Sequence, residues 1–473
     1  MKSFKYTKRT EAFLACAFYF FVFFSMAVFA LLQPFGVPPD EANRYKVVQY
    51  ICLHGSLPVG WDPEVLIGGY GASYAFQPIL SYIIMGFAMR PVFLLYQNSF
   101  VLLYIARFTN VIIGLVMAVF VRKIAKEVFD APMLQWLFTV LIVFLPQNLF
   151  LHSYVNTDSM AALAGAIIIY ACIRGVKTVW NRSSSITLSI GIILCALSYY
   201  NAYGIILCSI LLFILTFIDI SSGKITLQIK PLLEKGIFIS VIVLLGIGWW
   251  FIRNAILYDG DFIGMTARMK CAAETCLPQF HPETKETIQS AGHSLLYLFN
   301  ETLFMHTLYE SFIATFGTMD IFTFPFIYTA YRVVFVFSLC CLLLPAKRGV
   351  AFYLKGIQNR TKRFFNLLMI LDMIIVACLC VWYSYSWDYQ PQGRYVLPLL
   401  IPLMYFISLG IAKLECVLTN HVPYGAVIAR SIQIIIIAFV LISIVSTMFG
   451  SVIPYYRTHE NWVRVAIENW PQK

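Results

Sequence analysis

Residues 12–32 read AFLACAFYFFVFFSMAVFALL, and residues 33–45 continue as QPFGVPPDEANRY. An apolar run of about 20 residues is long enough to cross a bilayer as a helix. A signal peptide has a shorter apolar core and ends at a small-residue cleavage site, whereas this run ends in prolines and acidic residues. We therefore predict a retained first membrane helix whose basic N-terminal tail stays in the cytoplasm.

The composition of the whole chain agrees with that prediction. Of its 473 residues, 60% are hydrophobic and only 12% are charged, whereas soluble globular domains average about 25% charged residues. So apolar a chain cannot cover a water-facing surface, which excludes a soluble enzyme, a disordered protein and a nucleic-acid binder despite the net charge of +11. The sequence predicts an all-α polytopic membrane protein surrounded by membrane lipids.

Apolar runs of spanning length recur along the chain and predict about 11 transmembrane helices in a single transmembrane domain over residues 1–473. The predicted spans are 12–32, 101–121, 133–151, 158–176, 184–199, 202–219, 236–253, 323–345, 365–386, 394–413 and 428–452. Residues 78–97 are also apolar but contain Arg90-Pro91. We predict a re-entrant or interfacial helix there, because proline removes a helix hydrogen bond.

Basic residues indicate which loops face the cytoplasm, because Lys and Arg concentrate on that side. They cluster at residues 122–126, 174–182, 224–235 and 347–363. The opposite side then carries two long loops: the first outer loop, 33–100, with juxtamembrane helices, and the second, 254–322. This arrangement favours a site at the outer face of the membrane, since a symmetric transporter would show two similar halves with broken helices.

The first candidate site is PPDEANRY, directly after the first helix. Two prolines fix the chain as it leaves the membrane, so we expect Asp40 and Glu41 near the headgroup plane. A carboxylate held there could act as a general base for an acceptor hydroxyl. Alternatively, Asp40 only caps the helix that follows. That helix places the apolar residues between Tyr45 and Cys52 on one face, with Arg44 away from it, as an interfacial helix would.

The second candidate is QPQGRYVLP (residues 390–398), at the predicted outer start of a late helix. Arg394 is an isolated cation between a polar stretch and an apolar span. A charge at that depth needs an anionic partner, and the planar guanidinium suits a phosphate. Snorkelling to lipid headgroups and pairing with Asp388 are the alternatives.

Two further segments carry polar groups. In SYVNTDSMAAL (residues 153–163), Asn156 or Asp158 is predicted to cap a helix, and Asp158 is placed to face an outer cavity. In WWFIRNAILYDGDF (residues 249–262), Asp259 and Asp261 have a DxD spacing able to hold a divalent cation, although a turn is the simpler explanation.

The remaining titratable residues indicate no metal centre. No histidine has metal-ligand spacing with another histidine or cysteine, so no zinc site is predicted. Cys271 and Cys276 lie outside the apolar runs and could pair if their loop faces an oxidising space. Asp372 and Arg332 lie inside predicted spans, where ionisable residues either carry function or pair to fix the bundle.

The order of these predicted features resembles the C-type (GT-C) glycosyltransferase superfamily. Its members have a first helix with a cytoplasmic N-terminus, then a Pro-Asp/Glu motif, an amphipathic juxtamembrane helix and many further spans. PPDEANRY, GSLPVG, SYVNTDSMAAL, WFIRNAILYDGD and QGRYVLPLLIPL more closely resemble a family of bacterial integral membrane proteins without a firm biochemical function. The resemblance covers about residues 11–450, and PPDE and QGRY are its specific parts. In many relatives a histidine follows the acidic pair by three residues; here that position is Arg44.

The resemblance implies a polyprenyl-phosphate-linked sugar donor and a cell-wall glycan, glycolipid or protein acceptor, at the outer face of a bacterial cytoplasmic membrane. An acidic residue would deprotonate the acceptor, and attack would invert the anomeric carbon. Carried over by position, Asp40 is the expected base and Glu41 its partner or substitute. The other expected residues bind the donor phosphate (Arg394, Gln392, Tyr395 and Arg253) or line the acceptor cavity (Arg44, Asp158 and Asn156). Transfer without a metal is expected, with a divalent metal as the alternative.

Three other functions remain open at this point. A lipid-linked polysaccharide polymerase or ligase would grip a diphosphate with loop cations, for which Arg253, Arg268 and Lys270 are available. Broken helices with charged residues at mid-membrane would indicate a lipid-linked sugar flippase or another transporter, whereas the candidate groups here gather at one face. A non-catalytic envelope scaffold would not depend on Asp40.

Overall fold

The computed structural model describes residues 8–221, 224–345 and 353–458, and helices dominate it. The N-terminal tail before residue 8 and residues 346–352 of a predicted inner loop lie outside these ranges. The helices are α1 (Lys8–Leu32), α2 (Glu41–His54), α3 (Leu80–Leu95), α4 (Ser99–Val128), α5 (Pro132–Val143), α6 (Pro146–Leu151), α7 (Asp158–Thr178), α8 (Arg182–Ala196), α9 (Gly204–Thr216), α10 (Ile229–Leu257), α11 (Met265–Thr275), α12 (Leu295–Asn300), α13 (Phe304–Ala314), α14 (Pro325–Cys341), α15 (Asn359–Ser386), α16 (Leu400–His421), α17 (Gly425–Thr447) and α18 (Ile453–Thr458).

Among the described residues, seven helical stretches are long and apolar enough to cross a membrane. They are Arg9–Leu32, Ser99–Val128, Asp158–Thr178, Ile229–Leu257, Asn359–Ser386, Gly393–His421 and Gly425–Thr458. Five shorter apolar helices are Leu80–Leu95, Pro132–Val143, Arg182–Ala196, Tyr200–Thr216 and Pro325–Cys341. Each of the eleven predicted spans coincides with a helix of one of these two sets. The predicted all-α polytopic membrane class is therefore confirmed.

The structure differs from the predicted helix bounds at two prolines, Pro146 and Pro91. The span predicted over 133–151 divides into α5 and α6 at Pro146, because proline disfavours a helical conformation in the residue before it. In contrast, α3 continues through Pro91 without the expected interruption. The neighbouring Arg90 donates hydrogen bonds to the carbonyl groups of Cys52 and Leu53 at the end of α2, at 2.8 and 2.9 Å.

Local chemistry fixes several helix ends. The Asn98 side chain accepts hydrogen bonds from the amides of Phe100 and Val101, both at 3.1 Å, and so begins α4. Gly55 ends α2 in the left-handed conformation, with φ of 67°, and its amide donates to the Ile51 carbonyl.

Two short hairpins interrupt the helical architecture. Strands β1 (Ile218–Ser221) and β2 (Lys224–Leu227) pair antiparallel, with Ile218 opposite Leu227. Strands β3 (Thr315–Phe316) and β4 (Ile321–Phe322) also pair antiparallel, with Thr315 opposite Phe322.

Burial separates central from peripheral helices. The apolar windows of α7 and of the Gly393–His421 stretch are each 72% buried, whereas that of α10 is only 11% buried. An apolar helix with so little protein around it needs an apolar environment, which the interior of a bilayer supplies. The stretches at the centre of the protein are therefore α7 and Gly393–His421, which contains α16, whereas α10 lies at its periphery.

Candidate functional site

The chain segments that follow α1, α10 and α15 enclose a cavity of about 610 Å³. Gly71 joins the first two of these segments, because its carbonyl accepts hydrogen bonds from Thr275 Oγ1 at 2.6 Å and Cys271 Sγ at 3.2 Å. A side chain at Gly71 would lie 2.4 Å from the Cys276 amide nitrogen, so only glycine permits this approach. Cys271 and Cys276 are both free thiols and form no disulfide with each other.

Asp40 lines this cavity and lies at the position directly before α2. Its backbone is left-handed, with φ of 62°, a conformation that aspartate tolerates better than most residues. It occupies the predicted N-cap position, but its side chain makes no capping hydrogen bond. The carboxylate instead accepts a hydrogen bond from Arg394 Nη2 at 2.6 Å.

Arg394 reaches Asp40 from a 3₁₀ segment, Gly393–Leu399, that precedes α16. Its side chain is only 5% exposed, and its Nη2 also donates to the Tyr395 hydroxyl at 3.3 Å. Gly393 packs directly on the backbone of α13, where an added Cβ would lie 2.2 Å from the Phe312 amide nitrogen. The glycine of QGRY therefore allows the close packing that fixes Arg394.

A second ion pair lies behind the first. Arg44 Nη1 donates to Asp158 Oδ2 at 2.7 Å, and Arg44 Nη2 lies 3.9 Å from Asp40 Oδ2. The Arg44 guanidinium also lies over the Tyr74 ring, 5.1 Å from its centroid. The prediction that Arg44 faces away from the buried side of α2 is wrong, because this pairing buries it to 4% exposure.

Glu41 points away from the cavity and is fully buried. Its two carboxylate oxygens accept hydrogen bonds from Arg107, at 2.8 Å from Nε and 2.6 Å from Nη2. Arg107 Nη1 also donates to the carbonyl groups of Ala30 and Gln33 at the end of α1, at 2.8 and 2.7 Å. The expectation that Glu41 partners or replaces Asp40 in the site does not fit this position. Arg107 was missed in the sequence because it lies inside an otherwise apolar span.

Two other expected site residues, Asn156 and Arg253, bind backbone groups and do not line the cavity. The Asn156 amide donates to the carbonyls of Leu151 and Tyr154, and its oxygen accepts from the Ser159 amide at 2.9 Å, so it shapes the start of α7. Arg253 donates to the Pro58 carbonyl at 2.7 Å. Of the nine expected site residues, those that line the cavity are Asp40, Gln392, Arg394 and Tyr395.

Of the other polar residues of the cavity, the sequence suggested Arg268 as a loop cation that could grip a diphosphate and Asp388 as a partner of Arg394, but it did not indicate Lys285 or Tyr74. Lys285 donates to Asp388 at 2.6 Å, so Asp388 pairs with this lysine and not with Arg394. Arg268 and Tyr74 also line the cavity. These residues lie in three distant segments of the chain, and no local sequence pattern connects them.

The charges around Asp40 determine its protonation. Burial alone would raise the pKa of this carboxyl, but the charges of Arg394 and Arg44 and the hydrogen bond from Arg394 outweigh burial and lower its pKa to about 2. Burial raises the pKa of Tyr74 to about 12. Asp40 is therefore a carboxylate at neutral pH, and it is a weak base for as long as Arg394 holds it.

The DxD sequence and the charged residues inside the spans take part in local structure and do not line the cavity. Asp261 of the DxD sequence accepts hydrogen bonds from the amides of Ile263, Gly264 and Ala267, which makes it part of the turn before α11. Arg332 lies over the Tyr309 ring, and no ion pair joins it to the buried Asp372 within the described residues. In the same part of the chain, no three His, Cys, Asp or Glu side chains gather as a metal site would require.

Several solved structures are similar to this chain at low identity. The ArnT structure from Cupriavidus metallidurans, bound to undecaprenyl phosphate, has a TM-score of 0.47 and 13% identity, covering 98% of this chain and 76% of its own. The apo oligosaccharyltransferase from Archaeoglobus fulgidus has a TM-score of 0.45 and 14% identity, covering 97% of this chain. AglB from the same organism, with an inhibitory peptide and dolichol-phosphate, has a TM-score of 0.47 and 14% identity, covering 94%. This chain spans 56% of the length of either archaeal protein.

Sequence comparison places the chain in a family. No curated protein matches it. The family described as "Predicted membrane protein (DUF2142)" matches residues 65–404, a range that includes Arg394 but begins after Asp40. This match covers more than half of the chain, and the protein therefore belongs to the DUF2142 family of membrane proteins.

Proposed function

We propose that this protein transfers a sugar from a polyprenyl-phosphate-linked donor to a cell-envelope acceptor, with inversion at the anomeric carbon. The observation that carries this proposal is the Arg394–Asp40 ion pair, with 2.6 Å between Nη2 and Oδ2, at the cavity enclosed by three chain segments. This ion pair brings together the two groups that the resemblance to GT-C enzymes implies: Arg394 as the phosphate-binding group and Asp40 as the base. No second function has a specific observation in its favour.

The ion pair supports a step in which the donor itself activates the base. The donor is a phosphodiester, and its phosphate can compete with Asp40 for the Arg394 guanidinium, whose planar fork suits phosphate. Released from Arg394, the Asp40 carboxylate becomes more basic, because the neighbouring cation was the main influence that lowered its pKa. Binding of the donor thus prepares Asp40 for proton abstraction.

The transfer itself requires one base and one cation. The acceptor hydroxyl oxygen attacks the anomeric carbon of the sugar while Asp40 accepts its proton. The bond between that carbon and the phosphate oxygen breaks, and polyprenyl phosphate leaves with its negative charge stabilised by Arg394. We assign Gln392 and Tyr395 to the same phosphate, since both line the cavity with Arg394.

We also propose that the N-terminus lies in the cytoplasm of a bacterium and that the cavity faces the outer side of the cytoplasmic membrane. The distribution of basic residues supports this orientation. Residues 122–126, 174–182 and 360–363, which lie at helix ends away from the cavity segments, are rich in Lys and Arg, as cytoplasmic loops are.

A sugar analysis of cell-envelope glycans tests the proposal. A strain lacking the gene is complemented with the wild type, with Asp40→Asn or with Asp62→Asn, and each protein is quantified in membranes. Asp62 lies in the same loop but outside the cavity, so Asp62→Asn is the matched control. We expect wild type and Asp62→Asn to restore a missing sugar and Asp40→Asn to fail. Restoration by Asp40→Asn at equal abundance would refute Asp40 as the base.

A further inference from the structure

One face of α11 brings a single cation to the cavity. Met265, Arg268, Met269 and Ala272 recur at helical spacing and all line the cavity. Arg268 is therefore surrounded on its own helix by apolar or small neighbours. Beside this face, the rings of Tyr70 and Phe280 stack with centroids 4.3 Å apart and an interplanar angle of 26°.

Among the described residues, Arg268 is the charged lining residue that forms no ion pair. The other four charged residues of the cavity form two ion pairs, Arg394–Asp40 and Lys285–Asp388, each at 2.6 Å. Arg268 is a half-buried residue, and within the described ranges its side chain forms neither an ion pair nor a hydrogen bond. The cavity lining thus has one uncompensated positive charge, and a partly desolvated cation gains most from a ligand that brings an anion.

This cation lines the same cavity as the Arg394–Asp40 pair but lies on a different chain segment, α11. Arg268 lies near Tyr383, which also lines the cavity. The Tyr383 ring lies 5.8 Å from the Tyr395 ring, and the Tyr395 hydroxyl accepts from Arg394. A ligand in this cavity therefore has two cations available, Arg394 beside Asp40 and Arg268 on α11.

We propose that Arg268 binds a phosphate or carboxylate group of the acceptor, with an apolar or sugar-ring portion of that acceptor against Tyr70 and Phe280. Calling this ligand the acceptor rests on the proposed function, which assigns the position beside Arg394 to the donor phosphate. Arg268 on α11 and the Tyr70–Phe280 stack belong to the segments that follow α1 and α10, which the sequence predicts as the two outer loops, so we expect a ligand to reach them from the aqueous side. The acceptor class is accordingly an anionic envelope polymer or glycolipid.

Binding measurements on the full-length protein in lipid nanodiscs test this assignment without requiring turnover. The probes for the Arg268 position are glycerol 3-phosphate and glucuronate, with glycerol and glucose as their neutral counterparts. A short-chain polyprenyl phosphate probes the donor position. The variants are Arg268→Gln, Arg268→Lys and, as matched control, Lys270→Gln, since Lys270 is exposed on the same helix and does not line the cavity.

We expect Arg268→Gln to weaken binding of at least one anionic probe about tenfold or more, as loss of a charged hydrogen bond does. Arg268→Lys should retain part of that affinity, and Lys270→Gln all of it, while polyprenyl phosphate binds all variants equally. Unchanged anion binding in Arg268→Gln would overturn the proposal. An equal loss of polyprenyl phosphate binding would overturn the acceptor assignment and place a donor phosphate at Arg268. Full activity of Asp40→Asn would refute the transfer mechanism and leave the Arg268 result intact.

Discussion

Replacing Arg107 with methionine is expected to destabilise the protein strongly. Arg107 is 1% exposed and Glu41 is fully buried, and the guanidinium binds both carboxylate oxygens of Glu41 as well as the last carbonyls of α1. Methionine leaves the Glu41 carboxylate buried without its cation. Loss of one partner from a buried pair costs about 3–5 kcal/mol, and the unpaired α1 carbonyls add to that cost.

Thermal unfolding of the detergent-solubilised full-length protein measures this effect. Arg107→Met and Glu41→Gln should each lower the melting temperature clearly, and the double variant should lose less than the sum of the two, because neither buried charge then lacks a partner. Arg174→Met is the control, because Arg174 is 43% exposed and its partner Glu127 keeps a second ion pair with Lys177, so the loss should be about 1 kcal/mol or less. A wild-type melting temperature for Arg107→Met, or strictly additive losses in the double variant, would refute the structural role of this pair.

Other expected outcomes concern the Arg394–Asp40 pair and its support. Gly393→Ala should reduce the yield of monodisperse protein in size-exclusion chromatography, because its Cβ would lie 2.2 Å from the Phe312 amide nitrogen, whereas Gly68→Ala has open space and should be neutral. Arg394→Lys keeps the charge but loses the planar fork, so polyprenyl phosphate binding should weaken about tenfold; wild-type affinity would mean that a point charge suffices. Asp40 stabilises the fold fully above its ordinary carboxyl pKa of 3.8 and loses this effect as pH falls through about 2. The difference in melting temperature between wild type and Asp40→Asn should therefore shrink from pH 5 to pH 2, and a constant difference would contradict the depressed pKa.

The helical spans could be predicted from the sequence because a bilayer demands about 20 consecutive apolar residues, a signal that is local in the chain. The same locality explains why residues 133–151 were predicted as one helix: their apolar content concealed the effect of Pro146. Asp40 and Arg394 were each found from their positions beside apolar spans, because a charged side chain close to the membrane is costly and usually has a partner or a function. Their direct contact joins positions 354 residues apart and could not be predicted from either motif.

The role of Glu41 shows the limit of reasoning from adjacent residues. Asp40 and Glu41 are neighbours in one acidic motif, yet the start of α2 directs them to opposite sides, one to the cavity and one to Arg107. Arg107 lies in the middle of an apolar span, where the sequence gives no indication of its partner. Of the three loop cations considered from the sequence, only Arg268 lines the cavity, and Lys285, which the sequence did not indicate, lines it as well.

Affinity for polyprenyl phosphate in wild type, Asp40→Asn and Arg394→Gln tests most directly whether phosphate and Asp40 compete for Arg394. Removal of the Asp40 charge frees Arg394, so Asp40→Asn should bind polyprenyl phosphate severalfold to about tenfold more tightly than wild type, while Arg394→Gln should bind it more weakly. Weaker or unchanged binding in Asp40→Asn, with the protein folded and monodisperse, would contradict the competition on which the account depends.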